Sequence, residues 1–296
     1  MNKVLFLGCN YDQLPYLEEA KKIGFLVIGC DMNINAPGRQ LCDHFINVGY
    51  DDAESIYKEI LGIGFCTQDK IFTAAAQFAH KTAAEIANTI KINYPKSIHI
   101  QNILNKTEFY KDFQNIGVKI PETHLIFKED ELLNKIKKDR NYFLKSDFSK
   151  NPKYVYRIDK RFNFSSINWR KDRYFKKNYI LQREFNGKNL RVNFADDHIF
   201  VFDFDTGNFD KNLTNSLRED IKEDVIKIVN FYGIKNWIVK FDIIIDESSN
   251  DYVFLDIGID PPSRMLKAVN AKGHNFEKLY INKYLLNKKV SWNDFL

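Results

Sequence analysis

Charged side chains that interrupt apolar, strand-like segments are the first candidates for chemistry in this chain. Lys145 ends the run 142–145, while Asp242 and Asp256 stand inside two later runs of aliphatic and aromatic residues. A carboxylate or an ammonium group is rarely buried without a partner. Charged residues at these positions therefore indicate a functional role. Lysines bind phosphates as point charges, and carboxylates are ligands that Mg²⁺ prefers. The alternative for Lys145 is a side chain that extends from a strand end to water.

The two aspartates belong to segments that predict a hairpin. Residues 239–245 and 252–257 read as strands, and the polar stretch 246–251 reads as the turn between them. Neighbouring strands can direct Asp242 and Asp256 into one cavity, which is the arrangement that a metal site needs.

The charge is concentrated in the middle of the chain. Residues 135–191 contain 18 basic and five acidic residues, although the whole chain carries only +5. Such a stretch favours a polyanion, and both a nucleoside triphosphate and a nucleic acid qualify. Basic and aromatic residues alternate in 170–177, but no nucleic-acid module is recognisable, so nucleic-acid binding is the weaker interpretation. The third interpretation of this basic stretch is a solvated lysine-rich surface that binds no polyanion.

The elements that must position these residues begin with a parallel sheet. Residues 3–7 and 25–29 read as strands around a helix at 13–23, with Gly24 as its C-cap. Further along, the pattern predicts helices at 52–61, 75–90, 103–115, 129–139, 216–231 and 275–286, and strands at 45–48, 71–73, 142–145, 154–157, 179–182, 191–194, 199–204, 239–245 and 252–257. The expected fold is one parallel α/β domain followed by a mixed α+β region.

Several classes of protein are disfavoured. The first turn after a strand, Gly8 to Gln13, lacks two glycines of the dinucleotide fingerprint, so Asp31 is as well explained by a turn cap as by a ribose contact. The four cysteines have neither zinc-site nor disulfide-framework spacing and are read as reduced. No secretory leader and no apolar run of membrane-spanning length is visible, so a cytoplasmic protein is expected.

Six segments in order resemble the ATP-grasp family over essentially the whole chain. They are the opening Gln13-Leu14-Pro15 with Gly24 to Asp31, Ala36-Pro37-Gly38 and Cys42-Asp43; Asn105-Lys106 with Gly117 to Pro121; Phe143 to Ser146; Gln182 to Gly187, with Gly187 to Arg191 similar to a run in the family's glutamate-adding branch; Lys240-Phe241-Asp242; and Asp256-Ile257-Gly258. The opening is similar to the carbamoyl-phosphate-synthetase and purine-carboxylase branches.

The resemblance implies an organisation and a reaction. Residues 1–95 would form the Rossmann-like pre-ATP-grasp domain, 96–178 the N-terminal ATP-grasp lobe and 179–296 the C-terminal lobe. The implied activity is ATP-dependent ligation, in which a carboxylate becomes an acyl phosphate, an amine attacks it, and ADP and phosphate leave. ATP and Mg²⁺ are the implied cofactors. Small-molecule acids and amines are the implied partners, without a membrane, and the oligomeric state is left open, a homodimer included.

The resemblance also assigns roles to individual residues. It implies nucleotide binding by Lys106, Lys145, Lys150, Lys153, Gln182, Arg183, Glu184, Phe185 and Asn189. It implies metal binding by Asp242 and Asp256, with Asp260 replacing a missing ligand, and catalytic roles for Lys240, Arg191 and Arg264. For Arg191 a surface ion pair is the alternative, and for Asp260 the alternative is a residue that only shapes the proline turn.

Two departures from the family pattern keep other functions open. The loop 147–153 contains no glycine, although the family covers the phosphates with a glycine-rich loop, and Lys150 and Lys153 are the proposed substitutes by charge. Gly258 stands where the family has an asparagine ligand. A nucleotide-binding protein without catalysis, and an ATP-dependent carboxylase acting through carboxyphosphate, therefore stay as alternatives.

Overall fold

The computed structural model describes residues 2–74, 78–137, 139–147, 155–159, 161–164, 167, 179–204, 206, 208–246, 248–261 and 263–292. The strands are β1 (Lys3–Leu7), β2 (Leu26–Cys30), β3 (His44–Ile46), β4 (Lys70–Phe72), β5 (Thr123–Ile126), β6 (Tyr142–Ser146), β7 (Val155–Ile158), β8 (Tyr179–Arg183), β9 (Lys188–Ala195), β10 (His198–Asp203), β11 (Phe209–Asp210), β12 (Val239–Asp246) and β13 (Asp251–Gly258). The helices are α1 (Leu14–Ile23), α2 (Ala53–Gly62), α3 (Ala79–Ile90), α4 (Ser97–Leu104), α5 (Lys106–Asn115), α6 (Glu129–Lys135), α7 (Lys211–Ser216), α8 (Glu219–Tyr232), α9 (Ser263–Ala271) and α10 (Phe276–Leu286), with a 3₁₀ turn at Pro37–Leu41.

The N-terminal segment forms the predicted parallel sheet, in the order β3-β2-β1-β4. Its strands are continuous apolar runs because both faces are covered. Val4 and Phe6 pack into a core with α1 and α10, whereas Leu5 and Leu7 pack into a second core with α2 and α3. The period of two along a strand explains this division.

The middle segment forms an antiparallel sheet in the order β5-β8-β6-β7. Lys145 of β6 lies opposite Ile180 of β8 on one side and Val155 of β7 on the other. The predicted pairing of the segments near 142–145 and 154–157 is therefore confirmed. A third sheet has the order β11-β10-β9-β12-β13, in which β12 and β13 are the neighbours expected of the predicted hairpin. This mixture of one parallel sheet and further antiparallel strands confirms the predicted fold class.

Two compact units divide the chain. The first contains Met1–Gln101, Arg191–Lys240 and Ile257–Leu296, and the second contains Asn102–Leu190 and Phe241–Asp256. Each unit is assembled from separated segments, since β9, β12 and β13 pass from one unit to the other within their length. The sequential domain boundaries after residues 95 and 178 stay predictions.

Some element boundaries differ from those that the sequence predicts. The helix expected at 103–115 is two helices, because the Asn105 side chain accepts a hydrogen bond from the Glu108 amide and begins α5 afresh. The helix expected at 129–139 ends at Lys135. Helix α9 follows the prolines at 261 and 262, where only a turn was expected. All four cysteines are free thiols. Within the described ranges, no helix is long and apolar enough to cross a membrane.

Candidate functional site

The second unit contains a cavity of about 540 Å³, which is within the range of small-molecule sites. Every residue that lines it belongs to that unit. The lining combines two lysines, two aspartates, the segment after β8 and several apolar side chains: Lys106, Phe143, Lys145, Val155, Gln182, Arg183, Glu184, Phe185, Asn186, Gly187, Asn189, Asp242, Ile244, Leu255 and Asp256.

Strand alternation explains how apolar strands present charges to this cavity. In β6, Phe143 and Lys145 line the cavity, while the alternate residues Tyr142 and Leu144 are buried in the core of the unit. The same rule operates in β12, where Asp242 and Ile244 line the cavity and the alternate residues Phe241 and Ile243 are buried. Each charge is therefore carried on the face of a strand that the core does not use.

Lys145 is held by its neighbours in the sheet. Its Nζ donates to Gln182 Oε1 at 2.7 Å, and Gln182 Nε2 in turn donates to Thr123 Oγ1 at 3.2 Å. Burial lowers the pKa of Lys145 to about 8, against the opposing effect of the Asp256 and Asp242 carboxylates, which raise it. A cationic lysine at this position would be stabilised by an anionic ligand.

Lys106 begins α5 and is also buried. Its backbone amide donates to the Asp147 carbonyl at 2.7 Å, which fixes the start of the helix against the end of β6. The first turn of a helix carries a partial positive charge, so the ammonium group and the helix end act in the same direction on an anion in the cavity.

The segment after β8 supplies a wall of main-chain groups. The Arg183 and Glu184 amides already donate to the Glu122 and Asn141 carbonyls, both at 2.9 Å. The Glu184 carboxylate accepts hydrogen bonds from Arg157, whose proximity lowers the pKa of Glu184. Main-chain contacts to a ligand must therefore come from carbonyl groups here or from the residues that follow.

Gly187 keeps this wall close to β12. Its φ is +155°, and a Cβ at this position would lie 2.2 Å from the Ile245 carbonyl oxygen. No L side chain fits between the two backbones without moving one of them. The glycine in this segment is therefore a requirement of the close approach.

Asp242 and Asp256 both line the cavity, on the adjacent strands β12 and β13. The Tyr110 hydroxyl donates to the Leu255 carbonyl at 2.5 Å, which ties the β13 backbone to α5 beside Asp256. No group of three or more potential ligands for a metal occurs in the described part of the chain. Two carboxylates nevertheless fit Mg²⁺, which commonly takes one or two from the protein and its other ligands from water and phosphates.

The first unit contains Lys240 and Asp260. Asp260 Oδ2 lies 3.4 Å from Lys240 Nζ, and Asp260 Oδ1 lies 3.6 Å from His80 Nε2. Burial lowers the pKa of His80 to about 4, with Asp260 opposing and Lys240 adding to the effect. The role of Asp260 as a metal ligand stays a prediction.

The remaining predicted residues are divided between the first unit and the undescribed part of the chain. The Arg191 guanidinium lies 5.0 Å from the centre of the Phe204 ring in the first unit. Arg264 is in α9, and its side chain lies outside the described part of the chain, as do Lys150 and Lys153 and the basic stretch 170–177.

Sequence reasoning missed two groups of residues. The apolar lining formed by Phe143, Val155, Ile244 and Leu255 carries no motif, although strand alternation relative to Lys145 and Asp242 predicts its first and third members. His80 was missed because nothing in its local sequence connects it with Asp260, which is 180 positions later.

Comparison with solved structures finds proteins of the same fold. N5-carboxyaminoimidazole ribonucleotide synthetase from Thermotoga maritima superimposes with a TM-score of 0.70 at 17% identity, over 98% of this chain and 77% of that chain. The L-amino acid ligase from Bacillus licheniformis gives 0.68 at 16%, over 96% and 74%. The biotin carboxylase domain of 2-oxoglutarate carboxylase from Hydrogenobacter thermophilus, crystallised with MgADP, ADP and bicarbonate, gives 0.71 at 15%, over 98% and 70%.

These likenesses confirm the ATP-grasp fold that the sequence resemblance predicts. At identities of 15–17% they define the fold alone. No protein-family model matches the sequence, and no curated protein matches it.

Proposed function

We propose that the protein is an ATP-dependent ligase of the ATP-grasp family, which activates a carboxylate as an acyl phosphate for attack by an amine and releases ADP and phosphate. The observation that carries the proposal is the cavity of the second unit, where Lys106 and Lys145 meet Asp242 and Asp256 around one space of about 540 Å³. Cations for phosphates and carboxylates for a magnesium ion are the two requirements of a MgATP site.

The residues of the cavity divide the work. Lys145 and Lys106 bind the phosphates, and the pKa of Lys145 rises when an anion replaces water beside it. Asp242 and Asp256 hold Mg²⁺, which when bound supplies positive charge to the transferred phosphoryl group. The apolar side chains of Phe143 and its neighbours, with the segment 182–187, accept the adenine.

The resemblance supports three further roles. Lys240 shares a face of β12 with Asp242, because the two are separated by one residue of the strand. We assign to Lys240 the stabilisation of the phosphoryl intermediate, with Arg191 and Arg264 as further cations for the phosphates or for the carboxylate of the substrate. Catalysis then depends on positioning and charge, and no side chain acts as a covalent nucleophile.

Proteins of the same fold support the class of reaction. Their names describe an L-amino acid ligase, an N5-carboxyaminoimidazole ribonucleotide synthetase and a biotin carboxylase domain, and the last was crystallised with bicarbonate. The amine and the acid are small molecules in this proposal, and the protein works in the cytoplasm. An ATP-dependent carboxylase, in which bicarbonate is the acid, is the second candidate.

The first test is nucleotide binding. Titration calorimetry of MgATP should give a saturable signal with wild-type protein and with Lys111→Met, a lysine on the exposed side of α5 that pairs with Glu108. Lys145→Met should bind at least tenfold more weakly, because a phosphate contact is lost. Absence of MgATP binding by the folded wild-type protein would refute the proposal.

The second test separates the candidates. ADP release is measured with MgATP alone, with bicarbonate, and with pooled L-amino acids, and the products are identified by mass. Ligation predicts an acid-dependent and amine-dependent release of ADP, whereas carboxylation predicts dependence on bicarbonate. Binding of MgATP without turnover across the screen would favour the non-catalytic nucleotide-binding protein that the glycine-free loop suggests.

A further inference from the structure

Four polar side chains of the first unit form a line that ends at Lys240. The Tyr94 hydroxyl lies 2.9 Å from His80 Nδ1, His80 Nε2 lies 3.6 Å from Asp260 Oδ1, and Asp260 Oδ2 lies 3.4 Å from Lys240 Nζ. All four residues belong to the same compact unit. None of the four residues is among those that line the nucleotide cavity of the second unit.

The middle of the line has two unsatisfied groups. His80 Nε2 and Asp260 Oδ1 are both buried and have no hydrogen-bond partner, although they face each other. A buried polar group without a partner lowers the stability of the fold. This loss is removed when the two atoms approach by roughly half an ångström and form one hydrogen bond.

The surroundings of His80 are dry. Its ring lies 5.2 Å from the ring of Trp237, which in turn meets Tyr94 edge-on at 5.0 Å. His80 itself is 2% exposed. An imidazole in such surroundings is neutral and carries one hydrogen, and only Nε2–H can donate to the Asp260 carboxylate. With the hydrogen on Nε2, Nδ1 accepts from the Tyr94 hydroxyl at 2.9 Å.

Space for the lysine is provided by Gly258. A Cβ at this position would lie 2.3 Å from Lys240 Cε, and the next nearest atoms also belong to the Lys240 side chain. The lysine stem therefore crosses the β13 backbone directly over this glycine, and its ammonium group arrives at Asp260. The Lys240 side chain is 24% exposed, and that of Asp260 is 18% exposed.

We propose that Asp260, oriented by His80 and Tyr94, is a positioning residue that fixes the ammonium group of Lys240 for the phosphoryl-transfer step. The inference rests on the proposed function, because Lys240 needs a fixed position only if it meets a phosphoryl group. A lysine has four rotatable side-chain bonds, and an ion pair that is held from behind removes that freedom before the substrate arrives. In this proposal Asp260 acts through Lys240, in place of the metal-ligand role that the resemblance implies.

The first experiment needs no substrate. Long-range ¹H–¹⁵N spectra of the histidine rings, with His80 assigned by comparison with His80→Gln, report which ring nitrogen carries the hydrogen. Wild-type protein should show His80 with its hydrogen on Nε2, and Asp260→Leu, which has no acceptor, should abolish this fixed preference. A hydrogen on Nδ1 in the wild-type protein, or an unchanged spectrum in Asp260→Leu, would overturn the inference.

The second experiment measures ADP release with MgATP and the acid–amine or bicarbonate mixture that gives turnover. Asp260→Asn should lower kcat by about 10- to 100-fold, as expected for a misplaced catalytic group, with KM for MgATP changed by less than about threefold. Asp260→Glu should recover part of the rate. In a Lys240→Met background the Asp260→Asn change should have no further effect. Equal losses in both backgrounds would contradict a role through Lys240.

Controls separate this inference from general damage and from the proposed function. Lys235→Met with Asp197→Asn removes an exposed lysine–aspartate pair of the same unit and should leave kcat unchanged. If Asp260→Asn does not fold, Tyr94→Phe removes only one hydroxyl, and its failure to lower kcat would count against the line. Absence of MgATP binding would refute the proposed function but would not change the expected His80 spectrum. A hydrogen on Nδ1 of His80 would refute the positioning role of Asp260 but would not affect the proposed function.

Discussion

Lys145 gives the sharpest test of the nucleotide site, because its charge depends on the ligand. Burial lowers its pKa from 10.5 to about 8, and the Asp256 and Asp242 carboxylates oppose the effect. In the ligand-free protein the side chain is therefore about nine-tenths protonated at pH 7 and about one-tenth protonated at pH 9. Bound phosphates keep it protonated over the whole of this range.

The affinity for MgADP is expected to fall by about tenfold between pH 7 and pH 9, which equals about 1.4 kcal/mol, because binding at the higher pH must include the uptake of a proton. Near pH 8 the uptake should be about half a proton per bound nucleotide. Titration calorimetry in two buffers of different ionisation enthalpy measures this number directly, starting from magnesium-free protein.

Lys145→Met should bind weakly at every pH and take up no proton, while Lys111→Met should behave as the wild type. The pKa of Lys145 also determines whether the free energy of unfolding rises or falls with pH. Its folded value lies below its unfolded value, so the unfolded chain binds more protons between about pH 8 and pH 10.5, and the free energy of unfolding should rise with pH there from this group. A proton uptake that persists in Lys145→Met, or an affinity that is constant from pH 7 to pH 9, would refute the reasoning.

Three further changes test other parts of the structure. Asp242→Asn, and separately Asp256→Asn, should remove the difference between MgATP and metal-free ATP in calorimetry, while the fold persists in circular dichroism. Gly187→Ala brings a methyl group to 2.2 Å from the β12 backbone, so we expect a loss of stability of about 1–3 kcal/mol in urea unfolding together with weaker MgATP binding. Asp196→Ala leaves the ammonium group of Lys283 buried without its partner, and the free energy of unfolding should fall by about 3–5 kcal/mol while nucleotide binding persists.

Local rules predict much of the second unit's cavity from the sequence. A lysine at the end of an apolar strand, and single aspartates inside two others, are locally improbable, and all three line the same cavity. The parallel sheet is equally predictable, because the continuous apolar run 3–7 needs cover on both faces. In these segments the local sequence pattern and the tertiary structure agree.

Long-range juxtapositions could not be predicted in this way. His80 lies in α3 and Asp260 in the loop after β13, and no period connects them. The break between α4 and α5 was missed because apolar spacing continues through it, although the side chain of Asn105 begins a new helix there. The assignment of β9, β12 and β13 to two units also depends on contacts that are distant along the chain.

Gly258, which stands where the family pattern has an asparagine, lies against the side chain of Lys240 in the first unit. The resemblance places an asparagine where this chain has Gly258, and its absence first suggested a degenerate site. A side chain at 258 would meet the stem of Lys240 at 2.3 Å, so this position of Lys240 and an asparagine at 258 exclude each other. In this chain the stem of Lys240 lies against that glycine, and its ammonium group lies 3.4 Å from Asp260 Oδ2. The space beside Gly258 is therefore occupied by a lysine that pairs with Asp260, next to the buried His80. The Asp260→Asn and Lys240→Met measurements test whether this pair serves the phosphoryl-transfer step.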